Sequence, residues 1–220
     1  MGTLLQRLAA EGLGTLFLLV AVVGSGIMAA DLSPDNIGVA LLANAVATGV
    51  ALYVLITIFG PVSGAHFNPA VTLVFALRGE IAPVLAIAYV AVQIVGGVLG
   101  VWLAHVMFDL PVLQISVTAR SGPGQWVAEV TASFGLVLTI LGGLRHAPGQ
   151  VAALVGAYIT GAYWFTASTS FANPAVTIAR SFSDTFAGIG PGDAPLFIVM
   201  QIVGAILAVL VARLIFPARS

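Results

Sequence analysis

Six apolar stretches of about 20 residues run through this chain, at roughly 9–30, 37–59, 82–107, 126–144, 149–168 and 195–216, and each is long enough to cross about 30 Å of hydrocarbon. Few folds are open to such a chain. Backbone polar groups in lipid must be satisfied within their own segment, so each stretch is expected to be a transmembrane helix and the fold class to be all-α. Only 7% of the residues are charged and 60% are hydrophobic, against about 25% charged in a soluble domain, which makes the lipid bilayer the solvent and the first partner. The first stretch is read as a span and not as a cleaved leader, because Glu11 interrupts it and because it exceeds the usual 7–15-residue apolar region of a signal peptide. Two further helical patterns, at about 68–78 and 173–183, open on Asn-Pro-Ala and are too short to span.

The net charge of −1 and the absence of any basic cluster exclude nucleic acid as an evident partner. Cysteine is absent, which removes disulfides and thiol chemistry. His105 and His146 show no ligand spacing and read as end-of-span or loop residues. No metal, no cofactor and no catalytic group is expected. With the N-terminus inside, Arg7, Arg78, Arg145, Arg213 and Arg219 fall on the cytoplasmic side and Arg120 and Arg180 outside. That distribution obeys the positive-inside rule and places both termini in the cytoplasm.

The chain repeats itself. Ala10-Glu11 followed by Thr15 corresponds to Ala128-Glu129 followed by Ser133; Asn68 to Thr72 is identical to Asn173 to Thr177; Gln93 to Gly96 is identical to Gln201 to Gly204. A single membrane domain over 1–220 is expected, with internal repeats at about 1–110 and 120–220. Each half holds three spans, an odd number, so the second half is inverted relative to the first. Inverted repeats with interrupted helices belong to channels and transporters, with the solute path near the midplane.

Paired Asn-Pro-Ala motifs, Asn68-Pro69-Ala70 and Asn173-Pro174-Ala175, with Glu11 and Glu129 in the first span of each half, resemble the aquaporin, or major intrinsic protein, family. The resemblance covers the chain from Glu11 to Gly204. It implies six transmembrane helices, two re-entrant half-helices, a passive pore and a homotetramer with one pore per subunit. The residues supply their own reasons. Proline suits the first helical position, where its missing N–H costs nothing, and Asn before it can cap the helix. Two half-helices entering from opposite faces would meet N-terminus to N-terminus. Their dipoles would oppose a cation there, while the Asn amides would offer donors to a neutral solute. The unwound segments Gly64-Ala65-His66 and Thr169-Ser170-Phe171 would present carbonyls to a wet cavity.

Glu11 and Glu129 are carboxylates within spans, costly unless paired. They read either as supports for the re-entrant loops or as a proton relay. His66 is expected to line the cytoplasmic half of the pore, or else to be a buried packing residue. In the family an Arg usually follows the second motif; here the residue is Val176. Transferring the other positions of the outer filter by spacing gives Thr48, Gly161 and Ser170, with Phe171 as the neighbouring alternative. The filter is therefore expected to be wide and uncharged, passing glycerol-like polyols or neutral trihydroxides such as arsenous acid, with water beside them. Val176 and the following Thr177 to Asp184 are similar to a bacterial subgroup associated with metalloid permeation. A water-selective aquaporin and a proton-coupled transporter are the alternatives, and a junctional protein is a third class. Arg180, one turn beyond Val176, either places its charge in the outer vestibule or snorkels to the interface and pairs with Asp184.

Overall fold

The computed structural model describes residues 2–216; the side assigned to Arg219 lies outside the described residues. The chain folds into helices α1 (Leu4–Leu32), α2 (Ile37–Ser63), α3 (Pro69–Leu77), α4 (Pro83–Met107), α5 (Pro123–His146), α6 (Val151–Phe165), α7 (Pro174–Arg180) and α8 (Ala194–Ile215), with no strand among the described residues. Both halves follow one order: two long helices, a short one, and a long one. Thr3 starts α1 with a reciprocal cap, in which Thr3 N donates to Gln6 Oε1 at 2.8 Å and Gln6 N to Thr3 Oγ1 at 3.4 Å. The helix therefore begins well before the apolar run does. Asn36 caps α2 through Val39 N at 3.1 Å.

Five of these helices are long and apolar enough to cross a membrane by length and composition. The sixth, α6, has 15 residues where a span over 149–168 was expected. Pro148 and Gly149 confine its first turn to a 3₁₀ segment, Pro148–Gln150, so segment and helix together reach roughly 27 Å. At its other end the chain unwinds at Thr166. Outward-facing residues such as Ile58, Val95, Val127 and Leu210 are exposed, as expected of side chains facing lipid.

The most extensive packing is of α1 on α4 and α2 and of α5 on α8, followed by α2 on α6. The duplicated Gln-Ile-Val-Gly string explains how these pairs come so close. A Cβ on Gly96 would fall 2.2 Å from the Gly12 carbonyl oxygen, and one on Gly204 would fall 2.3 Å from that of Val130. Gly12 follows Glu11 and Val130 follows Glu129, so the same glycine meets the same turn in both halves. α2 and α6 touch in the same way, at Gly49 and Gly156. We expect Gly96→Ala and Gly204→Ala each to cost about 1–3 kcal/mol, read as a lower melting temperature in detergent. Unchanged melting at both would show that the helices part freely.

Candidate functional site

The two short helices meet at their N-termini. Asn68 Oδ1 accepts from Ala70 N at 2.9 Å and Val71 N at 3.4 Å; Asn173 Oδ1 accepts from Ala175 N at 2.9 Å and Val176 N at 3.3 Å. Pro69 and Pro174 sit where no N–H is missed. Each amide then crosses to the other half. Asn68 Nδ2 donates to Ala172 O at 2.7 Å, and Asn173 Nδ2 donates to Phe67 O at 2.8 Å. One amide proton of each Asn is thus spent on the seam, and one remains.

The segments before these caps are held in left-handed backbone at matching places: Gly64 and Thr169, Ala65 and Ser170, Phe67 and Ala172. Such conformations cost of order 1–3 kcal/mol each for non-glycine residues and persist only where the surroundings impose them. Two carboxylates impose them here. Glu11, fully buried, accepts from His66 N at 2.9 Å, Phe67 N at 2.7 Å, Ser63 Oγ at 2.6 Å and Gln93 Nε2 at 2.8 Å. Glu129, equally buried, accepts from Phe171 N and Ala172 N at 3.0 Å each, from Gln201 Nε2 at 2.6 Å and from Ser168. The same two glutamines also donate to Thr72 Oγ1 and Thr177 Oγ1. Thr72 Oγ1 also lies 3.1 Å from His66 Nδ1, a bond whose direction is set by the tautomer of that ring.

A cavity of about 110 Å³ runs past this seam. Asn68, Asn173, His66, Thr48, Ser170, Phe171 and Val176 all line it. Ala70, Pro69, Ala175 and Pro174 do not; they build the half-helix starts behind it. Among the described residues no Asp or Glu lines the cavity, and Arg180 is its one permanently charged lining residue.

Two expected placements differ. Gly161 is absent from the lining, and Tyr163 takes that place, its hydroxyl 3.2 Å from Thr48 Oγ1. On α6, Val155, Ile159 and Tyr163 follow one another at four-residue steps along one face, whereas Gly161 looks away from it. Counting back from Asn173 crosses the unwound Thr166–Phe171 stretch, and spacing alone does not carry helical register through such a stretch. Arg180 neither snorkels nor pairs with Asp184. Its side chain is buried, lies with Cζ 3.4 Å from the Phe171 ring centroid, and donates through Nε to Ala187 O. Asp184 instead accepts from Val117 N at 3.1 Å. The Ser170 hydroxyl is buried without a hydrogen-bond partner among the described residues.

His105, read as an end-of-span residue, does sit in the last turn of α4. It is fully buried there, bonded to Val112 O and Ser183 Oγ at 2.9 Å each. It ties the 108–122 loop to the segment after α7. Further bonds, Ser116 N to Ser181 O at 2.9 Å and Gly190 N to Thr118 O at 2.7 Å, fasten that loop across the end of the cavity bearing Arg180. The loop brings in Arg120, a residue whose proximity to the site no sequence spacing signals.

A multi-pass bundle in which two half-helices meet cap to cap beside a continuous cavity defines a membrane channel built on an inverted repeat. The chain belongs to the major intrinsic protein family, which residues 2–160 match. It is 57% identical to aquaglyceroporin AqpS of Rhizobium meliloti over 217 residues, 98% of this chain and 93% of that protein. It is 28% identical to aquaporin Z of Photorhabdus laumondii over 99% of this chain and all of that one. Among solved structures, the aquaglyceroporin from Plasmodium falciparum superposes with a TM-score of 0.76 over 98% of both chains at 19% identity, a likeness of fold.

Proposed function

We propose that this protein is a passive channel for small uncharged solutes, glycerol-like polyols and neutral trihydroxides such as arsenous acid, with water as a co-permeant. One observation carries the reading: a single cavity, with no carboxylate among its described lining residues, passes both Asn amides. Each of those amides has one proton left for a solute hydroxyl. The lining is largely apolar, with a polar track of His66, Asn68, Asn173, Thr48 and Tyr163, which matches molecules having a hydroxylated edge and a carbon edge. Similarity to a protein named an aquaglyceroporin supports the same cargo class.

In this reading Thr48, Tyr163, Ser170, Phe171 and Val176 form the outer constriction, and His66 contributes to the inner half. Asn68-Pro69-Ala70 and Asn173-Pro174-Ala175 form the central barrier to cations, and Glu11 and Glu129 hold the loops. The channel sits in a plasma or bacterial inner membrane with both termini cytoplasmic, as a homotetramer. Tyr163 and Arg180 supply an aromatic ring and a cation near the outer end, and that observation favours substantial water flux as a second reading.

Stopped-flow light scattering on proteoliposomes tests both. Non-saturating shrinkage and reswelling with glycerol, indifferent to ionophores, is expected. No solute flux above protein-free vesicles would overturn the proposal, and water flux without glycerol flux would select the water-selective reading.

A further inference from the structure

Arg180 and Arg120 converge on one ring. The guanidinium carbons lie 3.4 Å and 5.1 Å from the centroid of Phe171, which is itself fixed edge-on against Phe197 at 5.3 Å. Each arginine spends its Nε on a backbone carbonyl, Arg180 on Ala187 and Arg120 on Gly188. Neither has a carboxylate within ion-pair distance among the described residues. The acidic groups nearby are committed elsewhere: Asp193 accepts from Arg120 N, Asp184 from Val117 N, and Glu129 from the loop before α7. No Nη atom of either side chain makes a hydrogen bond among the described residues, yet none is a buried orphan. Two guanidiniums with open donor edges, held together by aromatic packing and not by counter-charge, are costly to assemble unless something anionic visits them.

We infer that the outer end of the cavity is a binding site for a small oxyanion, a monocarboxylate or similar oxoacid anion, gripped by the free Nη edges of Arg180 with Arg120 adding field. The planar fork of donors matches a carboxylate. Because Arg180 lines the cavity together with Val176 and Phe171, an anion bound there stands in the solute path. It slows neutral flux without crossing the midplane. Burial lowers the Arg120 pKa, an effect that the nearby Tyr163 and Glu129 partly oppose; an arginine stays charged under such a shift. The inference rests on the channel reading only for its flux readout.

Lactate is the probe and lactamide its uncharged isostere. Isothermal titration of the solubilised full chain at low ionic strength should show lactate binding and no lactamide binding, weakened by about 0.5 M NaCl. In proteoliposomes with the probe on both faces, lactate should inhibit glycerol flux saturably, and lactamide at equal osmolarity should not. Arg180→Gln should abolish both lactate effects, whereas Arg120→Gln should weaken binding roughly tenfold. No lactate binding to the unaltered chain, or equal binding by Arg180→Gln, overturns the site. If Arg180→Gln does not fold, Arg120→Gln decides, and unchanged affinity there overturns it. If glycerol does not move at all, the channel reading fails while the titration still settles the anion site.

Discussion

Replacing Glu129 with Ala should leave almost no protein that folds, and what does fold should carry no solute. Phe171 N, Ala172 N, Gln201 Nε2 and Ser168 all point their protons at that one carboxylate. Each buried donor left unpaired costs about 1–3 kcal/mol, so their sum rivals the whole stability of an ordinary protein, about 5–15 kcal/mol. The left-handed turns at Thr169, Ser170 and Ala172 would lose the partner that imposes them. Glu11→Ala should behave alike, through His66, Phe67, Ser63 and Gln93. Gln at either position should recover little, since an amide presents one acceptor where the donors need two oxygens. Glu80→Ala is the control. That carboxylate pairs with Arg78 at the surface, and its loss should stay within about 0.5 kcal/mol. Melting temperature and recovery from detergent check the series; a well-folded Glu129→Ala would remove the support role and reopen the proton relay.

The second large effect is expected at Val176→Arg. The side chain there is buried, lines the cavity, and lies one helical turn, about 6 Å, from Arg180. A second guanidinium starts on the cavity side of α7 and is repelled by the first. It must therefore extend into the path beside Tyr163 and Thr48. Glycerol permeability should fall about 100-fold, equivalent to about 2.7 kcal/mol on the passage barrier, and water should be retained better because it is smaller. Stopped-flow rates for the two solutes give the ratio directly. Glycerol flux equal to that of the unaltered channel would show that the constriction lies elsewhere.

Much of this architecture is written in repeated strings. Asn68 to Thr72 and Asn173 to Thr177 are identical, and each supplies a cap, a first-turn proline and a threonine for the supporting network. Gln93 to Gly96 and Gln201 to Gly204 place an amide on a carboxylate and a glycine against a carbonyl three residues on. Such features are legible because their geometry is local to a helix. Tyr163 was hidden because the count from Asn173 runs through unwound backbone. The sequence leaves Arg180 open between vestibule and interface because its partners, Phe171 and Ala187 O, lie in loops whose folding no periodicity announces. The shortened α6 traces to Pro148 and Gly149, residues visible in the sequence but masked there by the apolar run around them.

The two amide crossings, Asn68 to Ala172 and Asn173 to Phe67, have a thermal consequence. They lock the halves together at the depth where a rocking carrier would have to separate them. A molecule passing through therefore requires no backbone rearrangement, and its rate should rise with warming only about as fast as the viscosity of water falls. A carrier of the same size would show the steep Arrhenius slope of a protein that must reopen its own seam at every turnover.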